Sequence, residues 1–287
     1  MSDILRRIAE HGRDYVDPIA AIDWTAADAA LPWLPRALLL GDGGPALSDT
    51  DFARLARAEF TRLCAAGLWL EGLLINRVTE GGLLGLPTGE ARVMLQEIRE
   101  ETGHSLMFLE MIERAGHDDR PRLEGTRLLS AVARRLKVDT AEFWAMVYIG
   151  ETVTDTFAMK ALKLAPADAP ICPVAAQVLA LHHREEARHI AAARQFLASR
   201  VSRMSAQRRW AFARTLNWLL RLFLDATMYP SAASLTRAGL SDPAGLARRL
   251  KADPERRAVT ADCAQPAVSL LQRDGLLAPS PLARRGA

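Results

Sequence analysis

Two short strings in this chain set a carboxylate and an imidazole three residues apart: Glu101-Thr-Gly-His104 and Glu186-Ala-Arg-His189. On a helix, that spacing puts both side chains on one face, where they can ligate the same metal ion. Spacing alone decides little, because chance produces such pairs. Position adds weight: each string lies at a similar depth in a helix that follows a turn. The helix before each turn carries a glutamate at roughly matching depth, Glu71 in the first hairpin and Glu151 in the second. Their neighbours are apolar, Leu68-Trp69-Leu70 and Tyr148-Ile149-Gly150. A carboxylate buried there costs several kcal/mol unless it is paired or metal-bound. Four glutamates and two histidines, as Glu…Glu-x-x-His twice, are the donor set of a carboxylate-bridged dimetal site in a four-helix bundle. Interhelical salt bridges are the plainer use of the same residues.

His182 lies four residues before Glu186 and seven before His189, so it shares their face and can supply a third imidazole. His183 is turned away and reads as a surface or outer residue. Carboxylates with imidazoles suit two iron ions per chain, with manganese as a substitute, better than a thiolate zinc site. Beyond the ligands, Thr154 is placed to address an oxygen-binding face, and Asp155 to hydrogen-bond the distal nitrogen of a ligand histidine. Tyr148 reads as core. Gly67, Leu68, Leu74, Met107, Phe108 and Val147 can line a pocket or simply pack helices. Asn76 and Arg77 are weaker candidates for holding an acidic substrate.

The elements needed to position these groups are legible as helices. Apolar positions recur at helical spacing over 50–78, 90–115, 139–164, 173–199 and 205–228, with a shorter helix over 126–136. Ser48, Thr88 and Asp139 are candidate N-caps, Gly116 a stop, Pro173 a first-turn residue, and 165–170 a turn. A short helix over 4–15 opens an arm, 1–49, whose Leu31, Trp33, Leu34 and Leu38 are expected to cover the core. The bundle is expected over 50–230. A helical extension follows over 231–287, disordered from 277. Almost nothing alternates with period two, so the fold class is all-α: a ferritin-like four-helix bundle with additional N- and C-terminal helices.

Composition narrows the partners. Net charge is +3, from 37 basic and 34 acidic residues, and no basic patch is interleaved with aromatics. The basic clusters over 203–214 and 248–257 read as solvated faces, so nucleic acid is not expected. No 18-residue apolar run or signal peptide is visible, which argues for a cytoplasmic chain without a membrane span. The three cysteines are isolated, with no redox or metal spacing. Apolar outer surface around Trp218 can support a homodimer or cover the bundle.

In donor order the chain resembles the AurF-like di-iron N-oxygenases, the p-aminobenzoate N-oxygenase family. Glu71, Glu101, His104, Glu151, His182, Glu186 and His189 match its ligand order, and His182-His-Arg-Glu-Glu-Ala-Arg-His189 is close to its ligand helix. The resemblance covers about residues 30–230, including Pro32-Trp33-Leu34-Pro35, and fades toward the ends. It implies a diferrous centre that takes O2, forms a peroxo-diferric species and oxygenates a small-molecule amine, typically an arylamine. With no flavin or ferredoxin motif, electrons are expected from an external donor or the substrate. The alternatives are a di-iron monooxygenase acting on carbon, a ferritin- or rubrerythrin-like iron handler, and a non-enzymatic helical interaction module.

Overall fold

The protein is described by a computed structural model covering residues 3–12, 14–28, 30–40, 45–81, 83–116, 123–165 and 170–278. No strand occurs among these residues. The N-terminal arm holds three short helices: α1 (Asp3–His11), α2 (Pro18–Ala21) and α3 (Arg36–Leu39). Four long helices follow: α4 (Asp49–Glu80), α5 (Thr88–Arg114), α7 (Ala141–Lys163) and α8 (Pro173–Val201), with the short α6 (Arg127–Ala133) between the pairs. After them come α9 (Ala206–Thr227), α10 (Ala232–Arg237), α11 (Pro243–Ala252) and α12 (Pro254–Arg273).

The long helices start where side chains can satisfy their free N–H groups. Ser48 Oγ accepts the Asp51 N–H at 3.1 Å, and Ser205 Oγ accepts that of Arg208 at 3.3 Å. Pro173 occupies the first turn of α8, where its missing N–H costs nothing. Gly116, just past α5, takes φ +67°, the left-handed conformation that ends helices. Two expected caps differ. α7 is capped by Thr140, not Asp139, through the Phe143 N–H at 3.4 Å. Thr88 lies inside α5, behind an N-cap at Pro87.

α4 pairs with α5 and α7 with α8, the two most extensive contacts in the molecule, and α5–α8 and α4–α7 contacts join the hairpins. This is the expected ferritin-like bundle. The arm lies over it: Leu34, Leu38 and Trp33 are buried, Trp33 meets Phe60 edge-on at 5.6 Å, and Pro32 O accepts the Cys172 N–H at 2.8 Å. α1 stops at His11, short of the expected Tyr15. The expected 126–136 helix contracts to α6, and the expected C-terminal helical extension includes the longer α12, which packs on α7. Arg256 of α12 ties arm, bundle and tail together, donating to Leu38 O (3.2 Å), Met228 O (2.7 Å) and Glu59 Oε2 (2.8 Å). Most of the expected 165–170 turn lies outside the described residues, as does the tail from 279; Leu277, expected to start a disordered end, is buried.

Candidate metal centre

The two Glu-x-x-His strings face each other across α5 and α8. Donor atoms of Glu101, His104, Glu186 and His189 all lie within 4.8 Å of one another, and those of Glu71, His104 and His182 form a second such group. All six residues are buried. Glu151 falls in neither group. It is nonetheless buried beside them, where desolvation and then the charges of Glu186 and Glu101 drive its carboxyl well above the usual range. The fold thus converges all seven sequence candidates on one spot in the bundle interior.

Each string-bearing helix also orients the other's histidine. His104 Nε2 lies 2.8 Å from Glu185 Oε2, and His189 Nε2 lies 2.9 Å from Glu100 Oε2. Glu185 and Glu100 are the residues immediately before Glu186 and Glu101, so each helix offers one carboxylate to the centre and the next to the opposite imidazole. With Nε2–H donated outward, the tautomer is fixed and Nδ1 turns inward. His104 Nδ1 is 3.3 Å from Glu101 and 3.5 Å from Glu186, and His189 Nδ1 is 3.1 Å and 3.5 Å from the same two residues. Arg188 Nη2 donates to the same Glu100 oxygen at 2.9 Å. Ser105 Oγ donates to Glu71 Oε2. His182 Nε2 lies 3.2 Å from Glu186 Oε1.

The charges here fit a pair of cations. Burial, followed by the charge of Glu101, holds the Glu71 carboxyl well above its ordinary range. Burial opposes ionisation of Glu101 and Glu186 as well, but facing imidazoles hold both below that range. Burial works against charge on His104 too, yet Glu101 and Glu185 lift it to about 10. Burial depresses His182 to about 4. Within this buried cluster five atoms have no hydrogen-bond partner among the described residues: Glu71 Oε1, Glu101 Oε1, both Glu186 oxygens and His189 Nδ1. Orphaned buried acceptors of this kind call for an explanation. Two divalent ions supply one, replacing protons at these same atoms. Carboxylate and imidazole donors without thiolate fit iron or manganese.

Two outer assignments change. Asp155 bonds Nδ1 of the half-buried His183 and not a ligand histidine, and Nε2 of His104 and His189 is taken by Glu185 and Glu100. Thr154 lines the cavity beside the centre, but its hydroxyl faces Gly150 O (3.0 Å) and Glu151 O (3.2 Å), within its own helix. That cavity is walled by Phe60, Cys64, Leu70, Phe108 and Val178, with Glu71, Glu151 and His182 at its metal side. Gly67 and Phe108 thus line it as expected. Leu74 and Val147 line a neighbouring cavity with Arg77, whereas Leu68 and Met107 line neither. Arg77 is already engaged by Leu136 O (3.1 Å) and Glu80 (2.7 Å). Glu100, Glu185 and the buried Glu97 were missed in sequence. The doubled glutamate, Glu-Glu-x-x-His in both strings, was the available signal for the first two.

Residues 2–275 match the family described as P-aminobenzoate N-oxygenase AurF. The chain belongs to that family. The donor clusters supply the buried carboxylates and imidazoles that a pair of iron or manganese ions would take. In sequence it is 30% identical, over 177 residues, to uncharacterised proteins of Mycobacterium tuberculosis and Mycobacterium bovis. Those matches cover 58% of this chain and 49% of the relatives, so the chain spans about half the length of the curated relatives it matches. In fold it is similar to R2-like ligand-binding oxidases. A tyrosine variant with an anaerobically reconstituted Mn/Fe cofactor superposes with a TM-score of 0.62 at 14% identity, covering 96% of this chain and 94% of that one. A glutamate variant with an aerobically reconstituted cofactor gives 0.58 at 13%, covering 95% and 93%. No helix among the described residues is long and apolar enough to cross a membrane.

Proposed function

We propose that this chain is a non-haem di-iron oxygenase that uses O2 to N-oxygenate an amine of the arylamine class. The observation that carries this reading is the third imidazole. His182 stands in register with both strings and opens onto the apolar cavity, in a chain that belongs to the N-oxygenase family. Glu71, Glu101, His104, Glu151, His182, Glu186 and His189 are the residues that would hold the metals. When bound, the two ions would supply the activation of O2, which is itself the oxidant.

The chain's own residues do the rest. Glu100 and Glu185 hold His189 and His104 with Nδ1 inward, so the donors are oriented before any ion arrives. Ser105 steadies one oxygen of Glu71 and leaves Oε1 free. Phe60, Phe108, Leu70 and Val178 keep bulk water off the centre and offer a ring an apolar seat. Asp155 and His183 form a hydrogen-bonded pair between α7 and α8 outside the donor set. Electrons come from an external donor.

Oxidation at carbon is the competing reading, favoured by the apolar walls of the cavity. Reduced, iron-loaded protein exposed to O2 with a panel of arylamines and hydrocarbons separates the two. Hydroxylamino, nitroso or nitro products support the proposal. Turnover confined to C–H oxidation overturns it.

A further inference from the structure

α9 turns a face of alternating tryptophan and arginine to solvent. Trp210, Arg214, Trp218 and Arg221 recur at helical spacing and are all exposed, Trp210 at 64% and Trp218 at 48%. The stripe is about 17 Å long at 1.5 Å per residue. Among the described residues every other tryptophan is buried or half-buried. The Arg214 guanidinium lies 5.0 Å from the centre of the Trp210 ring.

Charge on this face is one-sided. α9 carries four arginines and a single acid, Asp225. Arg208 is spent on Glu142, and Arg209 on the carbonyls of Val201 and Asp274. The stripe runs on into a cleft of about 160 Å³ lined by Arg221, Lys251, Arg257 and Tyr229. Asp225 is the one acid lining it, and Lys251 already holds that carboxylate at 3.1 Å. Arg214, Arg221 and Arg257 have no anionic partner among the described residues. Two guanidiniums at one cleft without a counter-charge make a seat for a carboxylate.

Tryptophan and arginine are the side chains that most often dominate protein interfaces. A second copy of this chain would set the cations against themselves, because a two-fold contact faces a patch with itself. A bilayer would bury Arg214, which stands between the two indoles and not at the edge of an apolar face. An acidic protein meets both features. The inner side of α9 bears on what that protein does: Phe223 walls a cavity that Glu151, a candidate metal donor, also lines. A single helix thus separates the stripe from the wall of that cavity.

We propose that the Trp210–Arg221 face of α9, with the adjoining cleft, docks an acidic electron-donor protein, one of whose carboxylates enters between Arg221 and Arg257. Each donor molecule gives up one electron, so two are oxidised as two ferric ions become ferrous. This deepens the oxygenase reading and rests on it for the use of the electrons. The docking face itself rests on α9 and the cleft beside it.

A ferredoxin and a flavodoxin, both of net negative charge, are the probes. Calorimetric titration of each oxidised donor, into metal-free and into iron-loaded protein, should show binding that weakens as salt rises. Arg214→Glu combined with Arg221→Glu should slow anaerobic oxidation of the reduced donors by ferric protein about tenfold or more at low salt. Trp218→Ala should weaken binding and leave its salt dependence in place. Salt-independent binding, or no binding by either donor, overturns the proposal whether or not the variants fold. Reduction indifferent to the charge reversals also overturns it, as does a dimer that Trp218→Ala dissociates, or tighter binding to phosphatidylserine vesicles or duplex DNA than to either donor. Chemically reduced protein given O2 and arylamines is a separate arm. No N-oxidation there, with charge-dependent docking intact, would sink the oxygenase reading and spare the face; N-oxidation with indifferent docking would do the reverse.

Discussion

Replacing Glu185 with alanine isolates what the crossed carboxylates contribute. His104 has no exposed surface, and its Nε2 has one partner, Glu185 at 2.8 Å. Removing that acceptor strands a buried N–H, at about 1–3 kcal/mol. It also frees the ring to move its proton to Nδ1, the atom that must ligate. A tenfold change in affinity corresponds to about 1.4 kcal/mol, so the loss amounts to roughly 10- to 100-fold in affinity for one ion, the range usual for outer partners of metal ligands. Glu185→Gln keeps an acceptor oxygen and should bind within a few-fold of the unmodified protein. Competition against a graded series of iron chelators, resolving both binding steps, measures this. One step should weaken in Glu185→Ala and recover in Glu185→Gln. Both steps unchanged in the alanine variant, or alanine and glutamine equally impaired, would refute the argument that this hydrogen bond fixes the ring.

Other expectations follow from the same structure. Glu101→Ala or Glu186→Ala should abolish binding of at least one iron, read by metal analysis after desalting, because both sit in the central donor group. Metal-free protein should lose stability as pH rises: burial, ahead of neighbouring charges, lifts Glu97 to about 8 in the fold from 4.5. The protonated form is thus favoured by folding, an advantage complete below 4.5 and lost as pH climbs through 8, at up to about 1.4 kcal/mol per pH unit. Thermal unfolding at pH 5 and pH 9 should show metal-free Glu97→Gln matching the unmodified protein at the lower pH and exceeding it at the higher. Trp33→Ala should cost about 3–5 kcal/mol in denaturant titrations, since it empties a buried site against Phe60. The Cys263 thiol, pushed by burial up to about 12, should resist alkylation at pH 8 until the protein is unfolded.

The bundle was legible because its long helices repeat apolar residues with one period and are bounded by strong local signals, Ser48 and Pro173 at starts and Gly116 at a stop. Boundaries failed where the local signal was shared between neighbours: Asp139 and Thr140 both cap well, and the chain used the second. The donor set was legible for a different reason. Glu71 and Glu151 sit among apolar neighbours, where an unpaired carboxylate is costly, and the two Glu-x-x-His strings lie at matching depth, so residue type and depth together pointed inward. Contacts that join elements distant in sequence were not legible. Nothing near Asp155 shows that it will meet His183 and not a ligand, because that depends on how α7 and α8 rotate against each other. Glu100 and Glu185 support histidines on the opposite helix, and only the repeated doubling of glutamate hinted at them. The cavity beside Arg77 comes from α6 and α9 closing over α4 and α7, which no local pattern encodes.

Anomalous diffraction at the iron edge from crystals of iron-loaded protein tests the central claim most directly. Two peaks inside the bundle, within bonding distance of Nδ1 of His104 and His189 and of the Glu71, Glu101, Glu151 and Glu186 carboxylates, with His182 on one of them, are the expected result. A single peak, peaks elsewhere, or a donor cluster that stays metal-free in iron-replete crystals would contradict it.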